Sequence, residues 1–211
     1  MNLTIFIKQP INYMIFNYKT LFCALILFLF TTQAFAAKPV YESQQDETVC
    51  RQIVVDFYKW YSQKLSSNNA SEFQPKFAQD ENGYTTLDFT AYVKNLKRMK
   101  CSDSFISREI ESYEPCIENL KKIKYREVED KLPDLSDYEN IKCDFFNIHR
   151  WTMSMENFSG VEIKKTTVQK DKSVVCGIIY EDTPDKKYYY GTVVVTLLKI
   201  GNIWMIDDIK I

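Results

Sequence analysis

Four strand-and-turn units in succession, over Val161–Ile211, restrict what this chain can fold into more than any other feature. The segments Val161–Gln169, Ser173–Glu181, Lys187–Lys199 and Asn202–Ile211 have strand length and strand composition. Lys170-Asp171-Lys172, Thr183-Pro184-Asp185 and Gly201-Asn202 separate them. A Gly-Asn pair accepts positive φ at little cost, so the last connection reads as a tight turn. Short links between consecutive strands predict an antiparallel meander. In the third strand Val193, Val195 and Leu197 point one way and Thr192, Val194, Thr196 and Leu198 the other. That strand is expected to be covered on both sides near its end. Trp204 and Ile206 share one face of the last strand. Such a sheet needs a cover, and the upstream helices are the only source of one.

The first helix starts at Asp46 or Thr48 and runs to about Ser66. Val49, Ile53, Val54, Phe57, Tyr61 and Leu65 form its apolar face. Residues 70–84 are polar, contain Pro75 and Gly83, and read as a loop. A second helix is expected over Thr86–Lys100, with Phe89, Tyr92, Val93, Leu96 and Met99 on one side. A third begins near Ser102 or Asp103, and Pro115 kinks or restarts it, because proline is welcome only in a first helical turn. The charged stretch 126–140 reads as a connector, and Ile141–Ile148 as a fifth strand. The predicted class is α+β, with amino-terminal helices packed on a curved antiparallel sheet.

Residues 1–36 hold Lys8, Lys19 and no acid, a dense apolar run over Leu21–Phe30, and then Ala34-Phe35-Ala36. This pattern predicts a secretory signal peptide, 1–36, cut after Ala36. Its apolar core is about ten residues, short of the roughly twenty that span a membrane. Met14 offers a second start. The mature chain, 37–211, is expected to be a single periplasmic domain that meets a membrane only through the uncleaved leader. Losing two lysines and no acid takes the formal charge from −1 to −3. No basic stripe points to nucleic acid.

Five cysteines remain after the leader: Cys50, Cys101, Cys116, Cys143 and Cys176. An oxidising compartment favours bridges, and five thiols allow fifteen ways to make two. Cys143–Cys176 is the first expectation, since both lie on predicted strands, and Cys101–Cys116 the second. No metal is expected, because no Cys-rich cluster has metal spacing and His149 is the only histidine. No phosphate-binding loop or other cofactor signature is present, so no cofactor is expected. His149, flanked by Arg150 and Trp151, reads as a strand-end residue.

Three stretches carry a resemblance: Val54-Val55-Asp56-Phe57-Tyr58-Lys59-Trp60-Tyr61, Cys143-Asp144-Phe145-Phe146 and Trp204-Met205-Ile206-Asp207-Asp208-Ile209. With helices first and the meander last, the chain resembles the nuclear-transport-factor-2-like superfamily, and within it a family of bacterial periplasmic domains of unknown function. The resemblance implies a cone-shaped α+β fold. It does not fix the function, because that superfamily holds isomerases, dehydratases, transport factors and toxin-neutralising proteins. Binding without catalysis is the expectation drawn from the residues themselves. No nucleophile–base pair stands out, while Tyr188, Tyr189 and Tyr190 give a rigid amphipathic strand, and Asp207 and Asp208 an acidic hairpin. The partner would be a protein, as in an immunity-type protein that neutralises a toxin, or a small apolar ligand or lipid held in the cone. A homodimer is compatible with either. The alternative by analogy is a ketosteroid-isomerase-like isomerase or lyase, with Asp144 as base and Tyr189 as oxyanion donor.

Overall fold

Helix α1 covers 44–66 and buries Cys50, Ile53, Val54, Phe57, Tyr58, Trp60 and Tyr61. So wide an apolar face requires neighbours around more than half of the helix. They are supplied largely by the segment 148–159. Trp151 sits against the rings of Phe57, Tyr61 and Trp60, with centroids 4.9, 4.8 and 6.0 Å apart. Two buried hydrogen bonds pin the same segment. Tyr58 Oη donates to the Trp151 carbonyl at 3.0 Å, and Ser62 Oγ to the Phe158 carbonyl at 2.7 Å. The computed structural model describes residues 44–67, 72–143, 145 and 148–211. The leader and Asp144 therefore lie outside the described residues.

After α1 come the strands β1 (Lys76–Gln79) and β2 (Thr85–Asp88), which pair antiparallel. This hairpin replaces the loop expected over 70–84. Asp80 Oδ1 accepts from the backbone N–H of Asn82 and of Tyr84, and Gly83 takes φ 82, so one tight turn returns the chain. Helices α2 (Thr90–Arg98), α3 (Asp103–Glu111) and α4 (Glu114–Leu120) follow. Pro115 falls in the first turn of α4, so it restarts the helix as expected. Two short helices, α5 (Val128–Lys131) and α6 (Leu135–Asn140), occupy the stretch read as a connector. Asp134 and Asp137 close a capping box that starts α6.

The strand expected at Ile141–Ile148 is not formed in its described part. The α6 helix runs up to Asn140, Lys142 reverses the chain at φ 59, and Cys143 is held at disulfide distance from Cys116, Cα–Cα 4.8 Å. That pairing corrects both expected bridges. Cys143 is on a buried turn and not on a strand, so it cannot face Cys176, and Cys101 is free and buried.

The sheet is an antiparallel meander, β3 (Gly160–Gln169), β4 (Lys172–Asp182), β5 (Lys187–Ile200) and β6 (Ile203–Lys210), in that spatial order. Gly201 supplies the left-handed residue of the last turn, at φ 63. Val175, Ile179, Val193, Val195, Leu197, Trp204 and Ile206 form the buried face against the helices. With helices on one side and a curved antiparallel sheet on the other, the fold is α+β. Val194, Thr196 and Leu198 on the opposite face are only half-buried, so β5 is buried on one side and not on both.

The two sheet edges differ. The middle of β6 is closed by the α2–α3 connection. Ser102 N–H donates to the Ile206 carbonyl at 2.8 Å, and Ile206 N–H to the Lys100 carbonyl at 2.7 Å. Lys100, at φ 60, ends α2 and turns the chain toward this contact. Along β3, no backbone hydrogen bond among the described residues reaches the outer edge.

Candidate functional site

The tyrosine run lies at the start of β5, where that strand and β4 extend beyond the helical cover. Tyr188, Tyr189 and Tyr190 are 43, 50 and 37 % exposed. Strand alternation sends them to two faces. On one face Tyr189 lies opposite Tyr180 and its hydroxyl donates to Glu162 at 2.7 Å. Glu162 also pairs with Lys164, and the Lys187 ammonium sits 3.9 Å from the Tyr180 ring centroid. On the other face the Tyr190 hydroxyl donates to Glu181 at 2.6 Å, and the Lys186 ammonium lies 4.3 Å over the Tyr188 ring. Donation to a carboxylate pins each phenol. The bond to Glu181 pushes Tyr190 up to about 12, and the bond to Glu162 raises Tyr189, so both rings stay neutral at physiological pH.

Beside Tyr189 an open groove of about 440 Å³ separates α1 from the edge of β3. Arg51, Gln52 and Val55 line it from the helix, and Val161, Glu162 and Ile163 from the strand. Tyr180 and Lys187 also line it. The groove and the Tyr189 face are thus one surface, joined through Glu162. Sequence reasoning found the tyrosines from their run. It missed the groove, because α1 and β3 are far apart in the chain and nothing local pairs them.

The acidic hairpin is elsewhere and is engaged. Asp207 accepts from Ser102 Oγ at 2.7 Å and from Ser104, and its backbone carbonyl from Arg108. Ser102 is itself the N-cap of α3, accepting from Phe105 N–H at 3.0 Å. Burial raises the Asp207 pKa, but the two hydroxyls and Arg108 outweigh it and hold the carboxylate below its ordinary range. Asp208 lies opposite Thr196, well along β5 from Tyr190, and pairs with Lys210 at 3.5 Å. The structure therefore separates Asp207 and Asp208 from the tyrosines.

The space between the helices and the sheet is packed with side chains. Phe57, Tyr58, Tyr61, Phe73, Tyr92 and Trp151 are all buried there. Two polar clusters, unmarked in the sequence, fasten this interior. Arg150 donates from Nε to Glu109 at 2.8 Å and from Nη2 to Ser112 Oγ at 2.7 Å, and the Tyr92 hydroxyl joins the same carboxylate at 2.8 Å. Asp46 accepts from Lys199 at 2.9 Å and from Trp204 Nε1 at 2.8 Å, which clamps the start of α1 to the β5–β6 hairpin. Cys50, one turn on, is fully buried, and desolvation pushes its thiol up to about 11. His149 lies in the turn that brackets Ser154, not at a strand end, and burial lowers its pKa. Among the described residues no cluster of three or more His, Cys, Asp or Glu is arranged to hold a metal. Comparison with family models, with curated proteins and with solved structures finds no match for this chain.

Proposed function

We propose that this protein is an exported, noncatalytic binding protein of the periplasm, and that it recognises a protein partner through the Tyr189 face and the adjoining groove. One observation carries the reading. Three successive tyrosines stand exposed on an extended strand, with the Tyr189 and Tyr190 hydroxyls already held by carboxylates and the Tyr188 ring by an ammonium group. Such rings bury large amphipathic area at little further entropic cost. The filled interior favours a surface-bound protein over a small apolar ligand. The helix-and-meander architecture is in keeping with the nuclear-transport-factor-2-like resemblance, and an immunity-type role would use the same surface.

Affinity capture from periplasmic extract tests the reading. The wild-type protein is expected to retain a specific partner that Tyr189→Ala loses at least tenfold, while Tyr125→Ala, at an exposed ring outside this surface, keeps it. Undiminished capture by Tyr188→Ala, Tyr189→Ala and Tyr190→Ala together would overturn it. Export is checked separately. The intact mass of the protein from the periplasm should correspond to a chain beginning at Ala37, and recovery of full-length chain in membranes would count against cleavage.

A further inference from the structure

The end of the sheet opposite the tyrosines carries an apolar patch of its own. Ile200 and Ile203 face each other across the Gly201-Asn202 turn and are 53 and 58 % exposed. A side chain at Gly201 would meet nothing within 4 Å, so this turn projects into open space. One row inward on the same face stands the cross-strand pair Leu198 and Met205, each half-buried. The next row is Thr167, Val174, Thr196 and Asp208, polar at every place but Val174, and Asp208 is held by Lys210. The patch is thus confined to the tip of the β5–β6 hairpin. The β3–β4 turn lies beside it, since Lys199 N–H donates to the Asp171 carbonyl at 2.8 Å. That turn supplies Lys170 and Lys172, both exposed and neither in an ion pair among the described residues. Lys172 stands opposite Leu198. Of the acids at this end, Asp46 is taken by Lys199 and Trp204, and Glu47 by Arg51, which leaves Asp171 against the two lysines.

We infer that this tip docks the protein reversibly on an anionic lipid bilayer, with Ile200 and Ile203 entering the headgroup layer and Lys170 and Lys172 meeting lipid phosphates. The inference does not rest on the Tyr189 surface and goes beyond it. Chemistry and size select the occupant. Two rows on two strands present an apolar area on the order of 100–200 Å², far below the roughly 800 Å² that each copy buries in a stable dimer. A flat contact that enlarged this area would have to bury the polar row at Thr196 and Asp208, at a cost in desolvation. A bilayer makes no such demand. It closes around a narrow tip, and lysine stems lie in its apolar margin while their ammonium groups reach the phosphates. Membrane affinity grows with buried apolar area and with basic charge, so two isoleucines, and two lysines opposed by one aspartate, make a weak and reversible contact. The start of the fold lies at the same end. Asp46, in the first turn of α1, is bonded to Lys199 and Trp204, so the chain that carries the apolar run Leu21–Phe30 enters the fold beside this tip. Docking there leaves Tyr189 about 36 Å along β5 from the bilayer contact.

Vesicle flotation tests this with the soluble protein recovered from the periplasm. Vesicles of phosphatidylethanolamine and phosphatidylglycerol, three to one, should carry the protein up the gradient, and vesicles of phosphatidylcholine alone should carry at least fivefold less. Ile200→Thr with Ile203→Thr keeps β-branched residues at both exposed positions, so it should lower flotation at least fivefold with an unaltered melting profile. Lys170→Gln with Lys172→Gln should lower it to the level seen on phosphatidylcholine. Ile203→Trp should float at least as well as wild type, and its added emission should shift to the blue and be quenched by lipids brominated near the headgroup. Tyr189→Ala should float as wild type does. No flotation of wild type on the anionic vesicles, equal flotation on both lipids, undiminished flotation of the double threonine variant, or no quenching of Ile203→Trp would each overturn the inference. Self-association in sedimentation velocity that the double threonine variant abolishes would assign the tip to a second copy instead. Flotation lost with Tyr189→Ala would place the membrane contact at the other end of β5 and overturn it as well.

Discussion

Asp46 shows how one side chain can hold two distant elements. It receives an ammonium from Lys199 and an indole N–H from Trp204, and its own burial opposes ionisation. The two donors win, so the carboxyl lies below its ordinary value of 3.8. The sign for stability follows. An acid with a depressed folded pKa contributes fully above the unfolded value, and the contribution is lost as pH falls through the folded one. Asp46→Asn is expected to cost about 1–3 kcal/mol at pH 7, the range for a lost charge-assisted bond. Urea unfolding of wild type and variant should show a gap that narrows below about pH 4, the usual carboxylate range. A gap independent of pH would mean that the substitution destabilises through something other than the lost charge. Asp207 acts in the same sense at the start of α3.

At the scale of elements, α1 and β6 bear most on the packing of the helices against the sheet. Trp204 is 3 % exposed on the face of β6 that also buries Ile206, and its indole N–H reaches the first turns of α1. Trp204→Ala removes a large buried ring together with that bond. It is expected to cost about 3–5 kcal/mol, the range for aromatic truncation in a core. Chemical denaturation that records less than about 1 kcal/mol, well under that range, would mean that the ring does not carry this contact. The tyrosine end of β5 is built differently. Its first residues have no helical cover and are exposed, so substitutions there should alter binding with little effect on unfolding.

For the whole molecule, the Cys116–Cys143 pair spans 27 residues and joins the first turns of α4 to the turn after α6. Between them lie α5, α6 and the 3-10 turn Tyr125–Glu127, short elements that bury few side chains of their own. Closing a loop of this length stabilises by about 3–4 kcal/mol through the entropy of the unfolded chain. Cys116→Ala with Cys143→Ala should lower the midpoint of unfolding accordingly. Native-state hydrogen exchange should quicken first over 125–143. If exchange quickens evenly through the sheet, the bridge supports the fold as a whole and not this segment.

Strong local patterns were decided by the sequence alone. The four meander strands, the tight Gly201 turn, the Pro115 restart and the burial of Phe57, Tyr92, Trp204 and Ile206 follow from period, turn chemistry and ring size, which act over a few residues. That at least one of Tyr188–Tyr190 faces solvent was legible too, since successive rings alternate across a strand, but the exposure of all three was not. Pairings between distant residues had no local signal. The β1–β2 hairpin rests on Asp80 collecting two backbone N–H groups. Cys116 meets Cys143 because Lys142 reverses the chain after α6. Asp207 is drawn to Ser102 and Arg108 and away from the tyrosines, and the groove exists only because α1 is laid beside β3. Each of these depends on which surfaces face one another once the helices have packed. Tertiary structure decides that, because burying the shared apolar face constrains every element at once while the sequence pattern constrains them one at a time.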